Sequence, residues 1–193
     1  MGKIYFIGDL HLGDETIIKL ERRPFKNSYE QTDVCVANWN SLITDDDVVY
    51  VVGDFLDAHY SPYHLAKIQT LKGKKYLIRG NHDTLSDEFY RKECNFINVY
   101  DNPILIDDFW IISHDPKYIN RYFPYANIFA HVHNSPMYKT HSPRHYCVSA
   151  ERINFFPICF DNIKITIAED DLNENKEAIN WVKKDKLFQL FVL

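Results

Sequence analysis

Polar residues that can bind metal ions follow five short apolar runs of the sequence. They are two aspartates, one asparagine and four histidines: Asp9, His11, Asp54, Asn81, His114, His131 and His133. Carboxylate and amide oxygens and imidazole nitrogens bind divalent cations of borderline softness, and seven such groups exceed what one ion needs. The residue types therefore predict two divalent cations, with manganese favoured and iron, cobalt, nickel or zinc as alternatives.

The spacing within these segments supports the same reading. Asp-x-His at 9–11 and His-x-His at 131–133 place two side chains on one side of an extended segment, because strand side chains alternate between faces. Glycines stand directly before Asp9, Asp54 and Asn81, where the backbone has to turn sharply for the ligand to face inward.

Hydrophobic periodicity predicts strands that alternate with helices in the first half of the chain and further strands in the second half. Predicted strands cover 3–8, 48–52, 75–80, 127–130 and 146–150, with a hairpin at 104–114 that turns at 107–108; predicted helices cover 29–42, 61–71 and 84–92. Alternating strands and helices are typical of an α/β domain with a parallel core, while the second half looks more antiparallel. Ligands of such sheets bind at the carboxyl ends of the strands, so the five polar segments are expected to converge there.

The composition argues against several classes of protein. A length of 193 residues is typical of one domain, predicted here to span 1–193, and 46% hydrophobic residues suffice for a large core. The net charge of −5, without a long basic stretch, predicts no dedicated nucleic-acid surface. No apolar run approaches the roughly 20 residues of a membrane span, so no membrane association is expected.

The four cysteines, at 35, 94, 147 and 159, form no Cys-x-x-Cys pair. The first residues read neither as a secretion signal nor as a myristoylation site. Scattered cysteines in such a chain predict reduced thiols and a cytoplasmic location.

A polar stretch at 169–177 is the one break in the pattern, and an apolar tail follows it. Residues from about 174 to 193 are therefore predicted to form a C-terminal extension. It would pack on the domain or on a second subunit, in which case the protein would be a homodimer.

Taken in order, the motifs resemble those of the calcineurin-like metallophosphoesterase superfamily. They are Asp9-x-His11, Gly53-Asp54, Gly80-Asn81-His82-Asp83, His114 and His131-x-His133. The flanking segments "RRPF" at 22–25, "NWN" at 38–40, "LIRGNHD" at 77–83 and "VSAERINFFPI" at 148–158 are similar to a small bacterial and phage-type subgroup of phosphohydrolases. The resemblance covers the chain from residue 4 to about residue 165.

The resemblance implies a role for each motif residue. Asp9, His11 and His133 would bind the first cation. Asn81, His114 and His131 would bind the second, and Asp54 would bridge both. His82 would be catalytic rather than a ligand: it would lie beside the phosphate, held by Asp83, and stabilise or protonate the leaving oxygen. An imidazole suits that role because it titrates near neutral pH.

The implied fold is α/β, a four-layer α-β-β-α sandwich of two mixed sheets flanked by helices. The implied reaction is hydrolysis of a small phosphodiester or phosphomonoester, such as a nucleotide, with the diester favoured. Two cations about 3.5–4 Å apart would hold a bridging hydroxide that attacks phosphorus in line. The alternative is a non-catalytic metal-binding scaffold on the same fold, but such relatives typically lose the histidine of Gly-Asn-His or a metal ligand, and this sequence keeps them all.

Two further residues are candidates for contact with the substrate. Arg79 precedes the Gly-Asn-His-Asp segment and could bind a phosphate, although a structural ion pair is at least as well supported. His59 is a second candidate, with a plain surface role as its alternative. The chain also departs from the family pattern twice. Ala130 replaces a common glycine, and Asp115 places a carboxylate after His114, where it could orient that ligand or disfavour anionic substrates.

Overall fold

The computed structural model describes residues 2–120 and 123–189, which form two five-stranded sheets flanked by helices. The strands are β1 (Ile4–Ile7), β2 (Val48–Val52), β3 (Lys74–Ile78), β4 (Phe96–Tyr100), β5 (Ile104–Ile106), β6 (Trp110–Ser113), β7 (Ala126–Phe129), β8 (His141–Ser142), β9 (His145–Cys147) and β10 (Ile158–Cys159). The helices are α1 (Glu15–Leu20), α2 (Ser28–Leu42), α3 (Pro62–Ile68), α4 (Asp87–Lys92) and α5 (Phe160–Gln189), and a 3-10 turn covers Ala150–Ile153. The predicted α/β class with two mixed sheets is confirmed.

The first sheet has the strand order β10-β1-β2-β3-β4. Strands β1 to β4 run parallel, and β10 pairs antiparallel with β1. Because side chains alternate along a strand, Ile7 and Val51 face outward, where Val36, Trp39 and Ile68 of α2 and α3 cover them. The parallel order brings the carboxyl ends of β1, β2 and β3 to one edge.

The second sheet has the order β5-β6-β7-β9-β8. The expected antiparallel pairing occurs only at its two edges, because β6, β7 and β9 run parallel. The 12 residues at 114–125 between β6 and β7 are enough for a crossover that a short hairpin could not make. The carboxyl ends of β6 and β7 therefore also meet at one edge.

Apolar side chains from both sheets form the layer between them. Phe6, Val52 and Ile78 of the first sheet lie in one cluster with Ile112 and Ile128 of the second. Helix α5 begins in the same cluster, where Phe160 packs its ring 5.3 Å from the ring of Phe6 and 5.3 Å from that of Trp110. This core fixes the two sheets against each other and so fixes the edge at which the polar segments lie.

The helix predicted at 29–42 and the strands predicted at 48–52 and 127–130 match α2, β2 and β7 within one residue. The helix predicted at 84–92 starts later, at Asp87, because Ser86 caps it by accepting from the Phe89 N–H. The strand predicted at 146–150 ends at Cys147 and gives way to the 3-10 turn.

Four elements have no counterpart in the sequence prediction: α1, β4, β8 and β10. All are six residues or fewer, too short for a clear period. Strand β4 also follows α4 without a glycine to mark the boundary, since Asn95 makes that turn with a φ of 58°.

The predicted polar break at 169–177 is wrong, because these residues lie within α5. The segment contains no glycine or proline, so its polarity indicates exposure rather than the end of a helix. Helix α5 continues through most of the predicted extension, but the packing of its side chains after Lys176 and residues 190–193 lie outside the described residues. Among the described residues, no helix is both long and apolar enough to cross a membrane.

Candidate metal centre and active site

The seven predicted metal ligands lie together just beyond the carboxyl ends of β1, β2, β3, β6 and β7. Six of them form two groups in which the donor atoms lie within 4.8 Å of one another. The first group is Asp9, His11 and His133, and the second is Asp54, His114 and His131. Six residues from four separate strand ends thus supply two adjacent sets of ligand atoms.

Asn81 completes the second group. Its Oδ1 lies 3.0 Å from Nε2 of His114 and 3.0 Å from Nδ1 of His131. These two ring nitrogens are themselves 3.1 Å apart. Three donor atoms that converge so closely can share one cation.

Asp54 lies between the two groups. Its Oδ2 is 3.4 Å from Nε2 of His11 in the first group and 3.3 Å from Nε2 of His114 in the second. Burial would raise the pKa of this carboxyl, but the hydrogen bonds and charges of His11 and His114 hold the pKa far below its usual range. Asp54 is therefore an ionised carboxylate that lies between the two groups of donor atoms.

One buried atom of the first group, Oδ2 of Asp9, has no hydrogen-bond partner among the described residues. Unpaired buried polar atoms are rare, and a cation bound there would satisfy it. The raised pKa of His114 also indicates that the site is strongly negative. Burial lowers that pKa, but the hydrogen bond to Asp54 and the charges of Asp54 and Asp9 raise it to about 9. These residues fit a pair of divalent cations.

Two of the four histidines have one ring nitrogen within hydrogen-bond distance of an acceptor outside the two ligand groups. Nδ1 of His114 lies 3.0 Å from the Val52 carbonyl, and Nδ1 of His133 lies 3.0 Å from Oε1 of Glu151. The other two have only a nearby carboxylate beyond hydrogen-bond distance: Nδ1 of His11 is 3.7 Å from Asp14, and Nε2 of His131 is 3.8 Å from Asp115. An acceptor on one nitrogen keeps the proton there and leaves the other nitrogen free to bind a cation.

The backbone at the ligands is unusual. Five of the seven have positive φ: Asp9, His11, Asp54, His131 and His133, with values between 44° and 71°. Such conformations are strained for residues other than glycine and cluster at functional sites. Gly53 and Gly80 permit close approach, since a Cβ at Gly53 would lie 2.2 Å from Nδ1 of His114 and one at Gly80 would lie 2.2 Å from Oδ1 of Asp54.

His82 borders the same cavity without joining either ligand group. Its ring lies 5.0 Å from the ring of His11, and its backbone N–H donates to Oδ1 of Asp54. The cavity has a volume of about 280 Å³ and is lined by His11, Asp14, Thr16, Ile17, Leu20, Asp54, Asn81, His82, His131 and His133. His82 is thus placed to reach a substrate bound over the ligands.

In the structure, Asp83 does not hold the imidazole of His82, although the resemblance implied that it would. Its buried carboxylate accepts the backbone N–H groups of Asp54 and Phe55 at 2.7 and 2.9 Å and that of Gly80 at 2.9 Å. It also accepts the Tyr90 hydroxyl at 3.1 Å. Because both carboxylate oxygens are used in this way, Asp83 holds the two loops that carry Asp54 and Asn81.

Glu151 and Arg23 support the site, and neither was among the predicted site residues. The guanidinium of Arg23 donates to Glu151 at 2.6 Å and to the backbone carbonyls of Asp9 and Leu10 at 2.6 and 2.8 Å. Burial raises the pKa of Glu151, but the hydrogen bond from His133 and the charge of Arg23 lower it to about 2. This buried ion pair joins the segments that carry His11 and His133. Arg23 lies in the segment "RRPF" and Glu151 in "VSAERINFFPI". The similarity of these segments to the phosphohydrolase subgroup was the sequence feature that could have identified the two residues.

Glu21 also approaches His133 and Glu151, with donor atoms within 4.8 Å of each other. This trio does not form a third cation site of the same kind, because His133 already donates its Nδ1 proton to Glu151 and Arg23 neutralises that carboxylate. Arg152, next in the chain, supports the same loop by donating to the carbonyls of His133 and Ser135 at 2.5 and 2.7 Å.

The structure places both candidate substrate contacts away from the ligand groups. Arg79 donates to Asp101, Asp87 and the carbonyls of Asp83 and Leu85, which is the structural role given above as its alternative. The His59 side chain is 94% exposed and lies 3.3 Å from Asp57. Neither residue lines the cavity over the ligands.

The two departures from the family pattern also have a place in the structure. Asp115 lies beside His131 rather than beside His114, which corrects the first of its expected roles. Ala130 is not among the residues with positive φ, so its methyl group causes no backbone strain. Its Cβ faces Gly8, where an added Cβ would lie only 2.5 Å away.

Comparison with known proteins agrees with this geometry. Residues 2–191 match the model of the calcineurin-like phosphoesterase family, and the chain belongs to that family, whose members are metal-dependent phosphoesterases. An uncharacterized protein of Methanocaldococcus jannaschii is 34% identical over 173 residues, which are 84% of this chain and 90% of that protein. The gene 66 protein of Mycobacterium phage L5 is 31% identical over 86 residues, 43% of this chain and 41% of the phage protein.

A solved structure is also similar. The crystal structure of a protein of unknown function from Aquifex aeolicus superimposes with a TM-score of 0.66 at 26% sequence identity. The match covers 86% of this chain and 100% of that one.

Proposed function

We propose that the protein is a phosphodiesterase that requires two divalent cations and acts on a small phosphorylated substrate. The observation that carries this proposal is Asp54, whose Oδ2 lies within 3.4 Å of a histidine nitrogen from each of the two ligand groups. Two cations bound there would neutralise phosphoryl oxygens and lower the pKa of the water that attacks phosphorus.

The chain's own residues supply the rest of the chemistry. Asp9, His11 and His133 would hold the first cation and Asn81, His114 and His131 the second, and Asp54 would contact both. His82, at the wall of the cavity, donates a proton to the leaving oxygen, which a poor leaving group needs in order to depart.

The charge of the cavity favours a diester over a monoester. Among the described residues that line it there is no lysine or arginine, whereas Asp14 and Asp54 are acidic. A phosphomonoester carries close to two negative charges at neutral pH and a phosphodiester carries one. The diester therefore meets less repulsion where the cations are the main positive charges.

Metal titration and turnover test this proposal together. After chelation, calorimetry with manganese should show two sites per chain, and iron, cobalt, nickel and zinc serve as comparisons. Manganese should restore hydrolysis of bis(4-nitrophenyl) phosphate, which should proceed faster than that of 4-nitrophenyl phosphate. The variant D54A should lose at least one cation and the activity.

Binding of at most one cation would contradict the dinuclear site. Two bound cations without turnover of any phosphoester would instead support the non-catalytic scaffold. Faster hydrolysis of the monoester would contradict only the expected preference for a diester and would leave the dinuclear site unaffected.

A further inference from the structure

Helix α1 forms one wall of the cavity over the metal ligands. Thr16, Ile17 and Leu20 line it together with Asn81 and His131. Thr16 and Leu20 also line a neighbouring groove of about 450 Å³, together with Glu15 and Lys19. The cavity and the groove are therefore continuous across these two side chains, which lie four residues apart on one face of the helix.

Leu20 is exposed at this junction. Ile17 and Ile18 of α1 are buried, whereas the Leu20 side chain is 71% exposed. A single exposed leucine ordinarily needs no explanation. Leu20 differs because it borders the same cavity as the cation ligands, so a bound substrate would cover it.

His82 and Leu20 border the same cavity. Both are among the residues that line the space over the metal ligands, and the His82 ring lies 5.0 Å from the ring of His11. An ester oxygen that receives its proton from His82 would therefore lie in the cavity that Leu20 borders.

We propose that Leu20, with Thr16 beside it, forms a subsite for an apolar or aromatic group attached to the phosphate. The inference rests on the proposed function and names the class of substrate: phosphoesters of aromatic or aliphatic alcohols, in preference to esters whose organic group is charged at that position. Burial of the exposed Leu20 side chain supplies the binding energy.

Inhibition by two phosphonates tests the subsite without involving the leaving group. Above the second pKa of both acids, where the measurements are made, phenylphosphonate and methylphosphonate carry the same charge and differ in their organic group. Each is measured against hydrolysis of bis(4-nitrophenyl) phosphate by the manganese-loaded protein. We expect phenylphosphonate to inhibit more strongly, and L20A to raise its inhibition constant about 3- to 10-fold, the effect of losing part of a leucine contact. The constant for methylphosphonate should change less than about twofold.

Two variants control for indirect effects. L20M keeps an apolar side chain of similar size and should retain the preference for phenylphosphonate. L105A removes a leucine of comparable exposure, 50%, on the edge strand β5 away from the cavity, and should change neither constant.

The subsite is refuted if L20A leaves the ratio of the two constants unchanged, either because both rise equally or because neither rises. Absence of any hydrolysis would refute the proposed function instead. In that case, calorimetry of the two phosphonates with manganese-loaded wild-type and L20A protein still measures the ratio and decides the question of the subsite.

Discussion

At the scale of single residues, one ring nitrogen of each of the four histidines lies near an oxygen atom of another residue, but only two of these pairs are within hydrogen-bond distance. Those two are His114 with the Val52 carbonyl and His133 with Glu151, whereas the carboxylates of Asp14 and Asp115 lie 3.7 and 3.8 Å from His11 and His131. These contacts differ in strength, because Glu151 is the most enclosed carboxylate of the three, with its side chain only 3% exposed, whereas that of Asp115 is 62% exposed. The contribution of Glu151 should therefore be the largest.

The variant E151Q tests this. We expect the first cation site to lose about 10- to 100-fold in affinity, the usual effect of removing the hydrogen-bond partner of a ligand, while the second site changes little. The measurement is calorimetry with manganese, together with a melting curve. E169Q, which changes an exposed glutamate on α5, is the matched control. Equal weakening of both sites would mean that Glu151 supports the fold in general rather than His133.

His82 and Asp83 are adjacent but should respond differently to substitution. H82A should retain both cations, while turnover of a diester with a poor alkoxide leaving group falls about 10²- to 10⁴-fold. The loss should be smaller for 4-nitrophenolate, which departs without a proton. The measurements are metal content and rates with both leaving groups. Loss of a cation from H82A would make His82 a ligand.

D83N should behave as a structural variant, because Asp83 accepts three backbone N–H groups in the loops that carry Asp54 and Asn81. Placing an amide NH₂ against these donors should cost about 1–3 kcal/mol of unfolding free energy. Metal content should fall together with stability. If D83N instead retained both cations and its melting temperature but lost turnover like H82A, the role assigned to Asp83 would be wrong.

At the scale of elements, Asp47 joins the amino ends of three neighbouring strands. Its carboxylate accepts from the Lys3 N–H at 2.6 Å and from the N–H and hydroxyl of Thr44 at 2.7 and 2.8 Å. Its own carbonyl accepts from Lys74 at the start of β3. The two preceding aspartates, Asp45 and Asp46, are exposed, whereas Asp47 is buried.

The pH dependence of stability should report this carboxylate. Burial raises the pKa of Asp47, but the hydrogen bonds from Thr44 and Lys3 outweigh it and lower the pKa in the folded protein. A lowered pKa contributes stability above the unfolded value of about 3.9, and that stability is lost as pH falls through the folded value. D47N should therefore be destabilised by about 1–2 kcal/mol at pH 7.

The difference in unfolding free energy between wild type and D47N should shrink as the pH is lowered below about 4, measured by urea denaturation at several pH values. D46N, an exposed neighbour, should show no such difference. A gap between wild type and D47N that stays constant down to pH 3 would rule out the charge of Asp47 as its cause.

The long elements could be predicted because their patterns are long enough to be read. Helix α2 has 15 residues with a buried face and an Asn27 cap, and its predicted range is correct within one residue. Elements such as α1 and β10 are too short to show a period, and their formation depends on tertiary contacts. For α1 this matters functionally, since it forms a wall of the cavity and is invisible in the sequence pattern.

At the scale of the whole molecule, the convergence of the seven predicted ligands was predictable because the segments that carry them follow apolar runs and parallel strands end at one edge. The supporting residues were not predictable in the same way. Arg23 follows α1 and Glu151 lies in a 3-10 turn, so neither marks the end of a strand. Their pairing spans 128 positions, and no local pattern reveals a contact between residues so far apart.

The long separation in sequence between these residues also matters while the chain is being synthesised. Domains assemble on the ribosome from the amino end as the chain emerges. Asp9 and His11 emerge first, yet His133 and its partner Glu151 follow more than a hundred residues later. Strand β1 likewise pairs with β10, which is synthesised much later. The nascent chain therefore presents two of the three predicted ligands of the first cation long before the third, His133, and its partner Glu151 have been made.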